Sequence, residues 1–258
     1  MSPLFSLAGR VAVITGSSRG IGFAIGMEMA RSGAQVVISS RNQAACDAAA
    51  AEINAATGRE AASPFAASIS DKEALRALVA HAESTFGKVD ILVCNAASNP
   101  YYGPLAEIPD DRFRKILDNN IVANNWLIGM VLPQMRARQD GAIIIVSSIG
   151  GFVGSPVIGA YNISKAADMQ LARNLAVECG GDNIRVNCIA PGLIKTAFSK
   201  ALWDDPETYD TYMRGTPLKR AGTPEEIAGA AVFLAGPAGS FVTGQTIVVD
   251  GGTTIQGI

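Results

Sequence analysis

The chain has 258 residues, 48% apolar and 17% charged, with a formal net charge of −2 at pH 7 and no Lys/Arg cluster. That length suffices for one large core, and the charge disfavours nucleic acid or an anionic membrane as partner. A single histidine, His81, removes the usual residue of Ser-His hydrolysis and of histidine-ligated metal sites, so no metal is expected; His81 itself is expected at the surface.

Cys46, Cys94, Cys179 and Cys188 form neither a C-x-x-C pair nor a disulfide framework, and the N-terminus lacks a basic-then-apolar leader. A reducing, cytoplasmic setting is expected.

Runs rich in Val and Ile predict strands at 11–15, 35–39, 62–66, 89–94, 142–147, 184–189 and 246–249. Helical periodicity lies between them at 21–32, 43–57, 71–86, 110–138, 157–179 and 224–234. Continuously apolar strands alternating with helices predict one doubly wound α/β domain over 1–258, a parallel sheet covered on both faces.

In chain order, the first strand runs into Thr15-Gly16-Ser17-Ser18-Arg19-Gly20-Ile21-Gly22. Glycines at such a turn let a pyrophosphate approach the backbone, and the following helix offers free N–H groups and a positive dipole end. Tight packing alone also explains a glycine-rich turn. Residues 141–164 carry no charge, but Ser147-Ser148, Gly150-Gly151, Gly154 and Pro156 would break a spanning helix, so a buried strand and a loop are expected rather than a membrane span.

Further on, Tyr161 and Lys165 stand one helical turn apart on one face. A free tyrosine titrates near ~10, and a cation within reach lowers that by roughly 1–3 units; a solvated helix face is the bland alternative. The connection 192–218 is long and aromatic, with Phe198, Trp203, Tyr209 and Tyr212. Placed at the carboxyl edge of the sheet, it reads as a substrate lid, the alternative being an excursion that packs or mediates oligomer contacts. Thr223-Pro224-Glu225-Glu226 marks the start of the last helix.

Thr-Gly-x-x-x-Gly-Ile-Gly at 15–22, Asn95-Ala96, Ser148 thirteen residues before Tyr161, Tyr161-x-x-x-Lys165 and Pro191-Gly192 occur in that order across the chain. Together they resemble the short-chain dehydrogenase/reductase family. The resemblance implies a single-domain Rossmann-type fold of about seven strands, a nicotinamide dinucleotide and a homotetramer, with the helices 110–138 and 157–179 as association surfaces. It makes Tyr161 the proton donor or acceptor and Lys165 its partner and a ligand of the nicotinamide ribose. Ser148 holds the substrate oxygen, and Asn120, in Leu117-Asp118-Asn119-Asn120, positions a water in a proton relay.

The cofactor is expected against Gly16, Ser18, Arg19, Gly20, Ile21, Gly22, Ser68, Ile69, Asn95, Ala96, Pro191, Gly192, Ile194 and Thr196, besides Tyr161 and Lys165. Two departures touch this set: Cys94-Asn95-Ala96-Ala97 stands where the family often has Asn-Asn-Ala-Gly, and Ser68 where it often has Asp.

The end of the second strand normally faces the adenosine ribose, where an acid would bind the 2′-hydroxyl of NAD. This chain has Ser39-Ser40-Arg41 there, and Arg19 in the glycine turn. Two guanidiniums and the Ser40 hydroxyl suit a 2′-phosphate, so NADP(H) is expected over NAD(H). The expected pocket walls, Asn99, Tyr101, Tyr102, Ile149, Phe152, Val157, Leu193, Phe198, Leu202 and Trp203, are mostly apolar and suit a small hydrophobic ketone, aldehyde or alcohol.

Within the family the chain resembles the NADP-dependent retinol and carbonyl reductase branch. Animal members of that branch end in a peroxisomal tripeptide, whereas this sequence ends Gln256-Gly257-Ile258, so that address does not carry over. A 3-oxoacyl carrier-protein reductase shares every catalytic motif, and a nucleotide sensor without turnover is the non-enzymatic alternative.

Overall fold

Seven strands, β1 (Val11–Thr15), β2 (Gln35–Ser40), β3 (Ala62–Ala66), β4 (Ile91–Cys94), β5 (Gly141–Val146), β6 (Ile184–Pro191) and β7 (Thr246–Val249), form one sheet in a computed structural model describing residues 2–255. Gln256-Gly257-Ile258 therefore lies outside the described residues. All neighbours pair in parallel, in the order β3-β2-β1-β4-β5-β6-β7. Every residue of β1, β4 and β5 is buried, as strands covered on both faces must be.

The helices are α1 (Gly20–Arg31), α2 (Gln43–Thr57), α3 (Lys72–Phe86), α4 (Asp110–Leu117), α5 (Ala123–Arg138), α6 (Gly159–Cys179), α7 (Pro206–Arg214) and α8 (Pro224–Ala235). Alternate strand residues split the core into two layers. Ile14, Ile38, Val93 and Ile144 pack with α1, α2 and α8, whereas Val13, Val37, Leu92 and Ile145 pack with α3, α5 and α6. The strand order reverses between β1 and β4, which opens a crevice at their carboxyl ends, the ligand position in doubly wound sheets.

Two expectations need correction, the helix over 110–138 and His81, and the 192–218 connection gains detail. The helix expected over 110–138 is interrupted by a π-helical turn, Asp118–Val122. Asn120 causes it: its side chain accepts from Ser98 N at 2.8 Å and donates to Ser98 O at 3.1 Å, bonds that draw the turn toward the loop after β4. The connection 192–218 holds its own structure, a 3₁₀ turn at Lys200–Leu202 and then α7, whose first turn is capped by the Asp205 carboxylate accepting from Thr208 N at 2.8 Å. His81 is half-buried, its ring tilted against Phe65 with centroids 4.8 Å apart and its Nε2 2.8 Å from Ser63 Oγ; burial pushes its pKa down.

Among the described residues no helix is long and apolar enough to cross a membrane. The uncharged stretch 141–164 forms β5, a loop and the start of α6.

At the start of α8, Glu226 accepts from Arg220 Nη2 at 2.6 Å and from Thr223 N at 2.9 Å. These bonds, Arg220 first, hold its carboxyl at about 2. A folded value below the unfolded value of ~4.3 means a contribution present above that range and lost as pH falls through it. Glu226→Gln is therefore expected to lower the urea midpoint slightly at neutral pH, an effect moderated by solvent screening, with the difference closing in acid.

Candidate active site

The glycine turn is tied to the sheet before any ligand is considered. Asn95, one residue past β4, donates through Nδ2 to Thr15 O at 2.9 Å and Gly16 O at 3.1 Å. Thr15 Oγ1 accepts from the backbone N–H groups of Asn95 and Ala96, both at 3.1 Å. Ser17, a residue with no assigned role in the sequence, donates to Ile14 O at 2.6 Å and accepts from Ser39 N at 2.8 Å, fastening the turn to β2 as well.

Gly16 has φ +64° and Gly20 φ +60°, both in the left-handed region. A Cβ on Gly22 would stand 2.5 Å from both Asn95 Nδ2 and Gly16 O, so only glycine fits there. The result is a backbone cradle at the N-terminus of α1 whose chemistry suits a pyrophosphate.

The remaining candidates line the same edge. Ser18 and Ile21 are half-buried in the turn, while Arg19 and Arg41 are exposed. Residues Thr15 and Ser39 are partners in the β1–β2 register, which puts Arg19 and Arg41 beyond the ends of adjacent strands. Ser40 Oγ lies 3.2 Å from Cys46 Sγ. Ser68 and Ile69, half-buried, follow β3, and the Ser68 hydroxyl bonds Ser70 Oγ at 2.9 Å.

Pro191 ends β6, and Gly192 N donates to Val249 O at 3.0 Å. Thr196 sits over the turn, since a Cβ at Gly20 would be 3.5 Å from its Cγ2. Ile194 is the exception: its side chain is buried in the core, which leaves only its backbone for a ligand.

The catalytic candidates converge where β5 meets α6. Ser148 follows β5 and its Oγ accepts from Gly150 N at 3.0 Å. Gly151 lets this loop close on α6, because a Cβ there would lie 2.7 Å from Met169 Cε and 2.9 Å from Lys165 C. Ser147 is a structural hydroxyl, donating to Lys165 O at 2.7 Å. Asn120 reaches α6 through Ser164 Oγ at 3.0 Å.

Lys165 is buried, with Nζ donating to Val146 O at 2.9 Å and Asp168 Oδ2 at 3.0 Å and standing 5.6 Å from the Tyr161 ring centroid. From the 192–218 connection, the Phe198 ring reaches to 6.3 Å of the Tyr161 ring.

Burial pushes the Tyr161 phenol above its ordinary value, outweighing the Lys165 charge and a hydrogen bond from Ser148. Lys165 acts in the expected, lowering sense, and burial opposes it. Asp168 and Asn124 complete the cluster and were not singled out in the sequence. For Asp168 alone there was a signal, its spacing three residues after Lys165 and seven after Tyr161, on the same helix face.

Comparison with known proteins bears on this geometry. A family model described as "Enoyl-(Acyl carrier protein) reductase" matches residues 16–254. "Dehydrogenase/reductase SDR family member 4" of Bos taurus is 43% identical over 251 residues, covering 96% of this chain and 88% of the relative. The chain belongs to the short-chain dehydrogenase/reductase family. Among solved structures, a 7α-hydroxysteroid dehydrogenase complexed with NADH and 7-oxo glycochenodeoxycholic acid superposes with a TM-score of 0.93 at 37% identity, covering 98% of this chain and 97% of that one. A gluconate 5-dehydrogenase from Burkholderia cenocepacia J2315, in complex with NADP and tartrate, gives 0.93 at 33% identity over 99% of both chains. As a short-chain dehydrogenase/reductase, the protein is an oxidoreductase acting between CH–OH and C=O groups, in a family that uses nicotinamide cofactors.

Proposed function

We propose that the protein is an NADP(H)-dependent reductase of small hydrophobic ketones and aldehydes that also runs the reverse oxidation of the alcohol. The observation that carries the reading is the convergence of Ser148, Tyr161 and Lys165 beside a glycine cradle, with the Phe198 ring across from Tyr161. The bound nicotinamide supplies or accepts hydride at the carbonyl carbon. Tyr161 gives its phenolic proton to the oxygen that gains charge. With its oxygen accepting from Gly150 N, the Ser148 hydroxyl turns its proton from the Tyr161 phenol to the same substrate oxygen, a bond that strengthens as charge grows.

Lys165 has three N–H groups, two of them taken by Val146 O and Asp168, and the third serves the nicotinamide ribose. Arg19, Arg41 and Ser40 hold the 2′-phosphate. The 192–218 segment is a lid whose base is fixed by Trp203 Nε1 donating to Thr196 O at 3.0 Å and by Lys195 Nζ over the Tyr209 ring at 5.3 Å. By family likeness the working unit is a cytoplasmic homotetramer, and Ile163 and Val177, exposed on α6, are apolar residues that association would cover.

The test is absorbance at the reduced-nicotinamide band, with NADPH and separately NADH, against hydrophobic ketones, aldehydes, diketones and a 3-oxoacyl thioester. Turnover with NADPH on the ketones or aldehydes is the expected outcome. Turnover confined to the thioester would make the protein a carrier-protein reductase. NADPH binding without turnover on any of them would make it a sensor.

A further inference from the structure

Asp168 is a fully buried acid beside the candidate catalytic pair, with side-chain exposure of 0% against 3% for Lys165. Both carboxylate oxygens accept hydrogen bonds: Oδ2 from Lys165 Nζ at 3.0 Å and Oδ1 from Asn124 Nδ2 at 3.1 Å. Burial pushes the Asp168 carboxyl above its ordinary value, opposed by the Lys165 charge and by the hydrogen bonds from Lys165 and Asn124; two donors and no acceptor around the carboxyl group are the surroundings of an ionised acid. Asn124 is itself fixed, since its Nδ2 also donates to the backbone oxygen of Asn120 at 2.6 Å, in the π-helical turn. The turn, Asn124, Asp168 and Lys165 thus form one connected path across the floor of the site.

An ammonium and a carboxylate in contact sum to zero charge, so a phenol that faces both gains far less help in ionising than one that faces the lysine alone. The charges act on Tyr161 in opposite senses, Lys165 favouring the phenolate and Asp168 opposing it. Burial, the largest single influence on Lys165, disfavours its charge, and the charge and hydrogen bond of Asp168, together with Tyr161 and Cys188, turn the balance toward the protonated amine. The other titratable groups facing the cluster are Cys94 on β4, Cys188 on β6 and Tyr102 in the loop after β4. Burial pushes both thiols far above their usual range, so they stay neutral.

We propose that Asp168 is a positioning residue of the proton transfer: held by Asn124, it anchors Lys165 and balances its charge, so that the Tyr161 phenol holds its proton more tightly than it would facing Lys165 alone. Its consequence for carbonyl reduction rests on the reductase reading above, but its first measurement does not. That measurement is the ultraviolet tyrosinate titration of the unliganded protein, with the Tyr161→Phe titration subtracted to isolate one phenol.

Asp168→Asn keeps the size of the side chain and removes its charge. Its Tyr161 midpoint is expected to fall by about one pH unit or more. The alkaline limb of NADPH-dependent reduction moves down with it. Asp168→Glu, which restores the charge, returns the midpoint toward that of the wild type. Asp168→Ser carries the same expectation as Asp168→Asn if the latter does not fold. A midpoint that stays in place or rises overturns the proposal, because a merely structural acid would alter stability and leave the phenol alone. A fallen midpoint in a protein without reductase turnover would sink the reductase reading and leave Asp168 in its role; turnover with an unmoved midpoint would do the reverse.

Discussion

Tyr161→Phe is expected to cut kcat for carbonyl reduction by about 10²–10⁴-fold, the usual share of a positioned general acid. The substitution removes one oxygen and keeps the ring that faces Phe198 at 6.3 Å, so the fold and the nucleotide site stay intact. What is lost is the proton for the forming alkoxide, and Ser148 alone cannot supply it without leaving its own oxygen charged. NADPH binding, followed by fluorescence, should be retained, which separates lost chemistry from lost affinity. The pH dependence carries the same sign: an acid must be protonated to act, and burial places the phenol above its ordinary value. Reduction by the wild type should therefore be flat through neutral pH and fall only in alkali. Activity of Tyr161→Phe within tenfold of the wild type would assign the proton to another group.

The second large effect concerns nucleotide choice. Arg19 precedes the first turn of α1, and Arg41 follows β2, both exposed beyond the ends of two paired strands. A hydrogen bond to a charged group contributes about 1.5–3 kcal/mol, so removing one guanidinium from a 2′-phosphate costs roughly 10–150-fold in affinity. Arg19→Ala combined with Arg41→Ala is expected to raise KM for NADPH by at least one such factor and to leave KM for NADH nearly unchanged. Arg41→Asp goes further, since a carboxylate repels the phosphate and can accept from the 2′-hydroxyl of NAD. The measurement is the ratio of kcat/KM for the two nucleotides in each variant. Equal losses with both would show that these arginines shape the turn rather than read the phosphate.

The strands were legible because a parallel sheet demands apolar residues on both faces, and a run such as Ala142 to Val146 has few other uses. The ends of β2 and β6 were less so: Ser40 and Pro191 look like loop residues, yet each extends its strand by pairing with the edge strand outside it, at Ala66 or Val249. In the helix expected over 110–138, periodicity gave no warning of the π-helical turn. Its cause is a pair of bonds to Ser98, a residue distant in sequence.

Asp168 shows the same limit more sharply. An acid in a helix usually reads as a solvated position, and only the fold brings Asn124 to its second oxygen and encloses the pair. The motif residues were legible because their spacing is set by local geometry; the groups that tune them arrive from elsewhere in the chain.

Asn95 joins the end of β4 to the carbonyls of Thr15 and Gly16, next to the central β1–β4 pairing. The turn proposed to receive the pyrophosphate is consequently tied to two central strands of the sheet and is ordered together with them. Little ordering is left for the moment of binding, because the chain has already met that entropy in folding. The two events are thermodynamically linked in return: a nucleotide held by the turn bears directly on β1 and β4, and its occupancy reinforces the whole domain against unfolding.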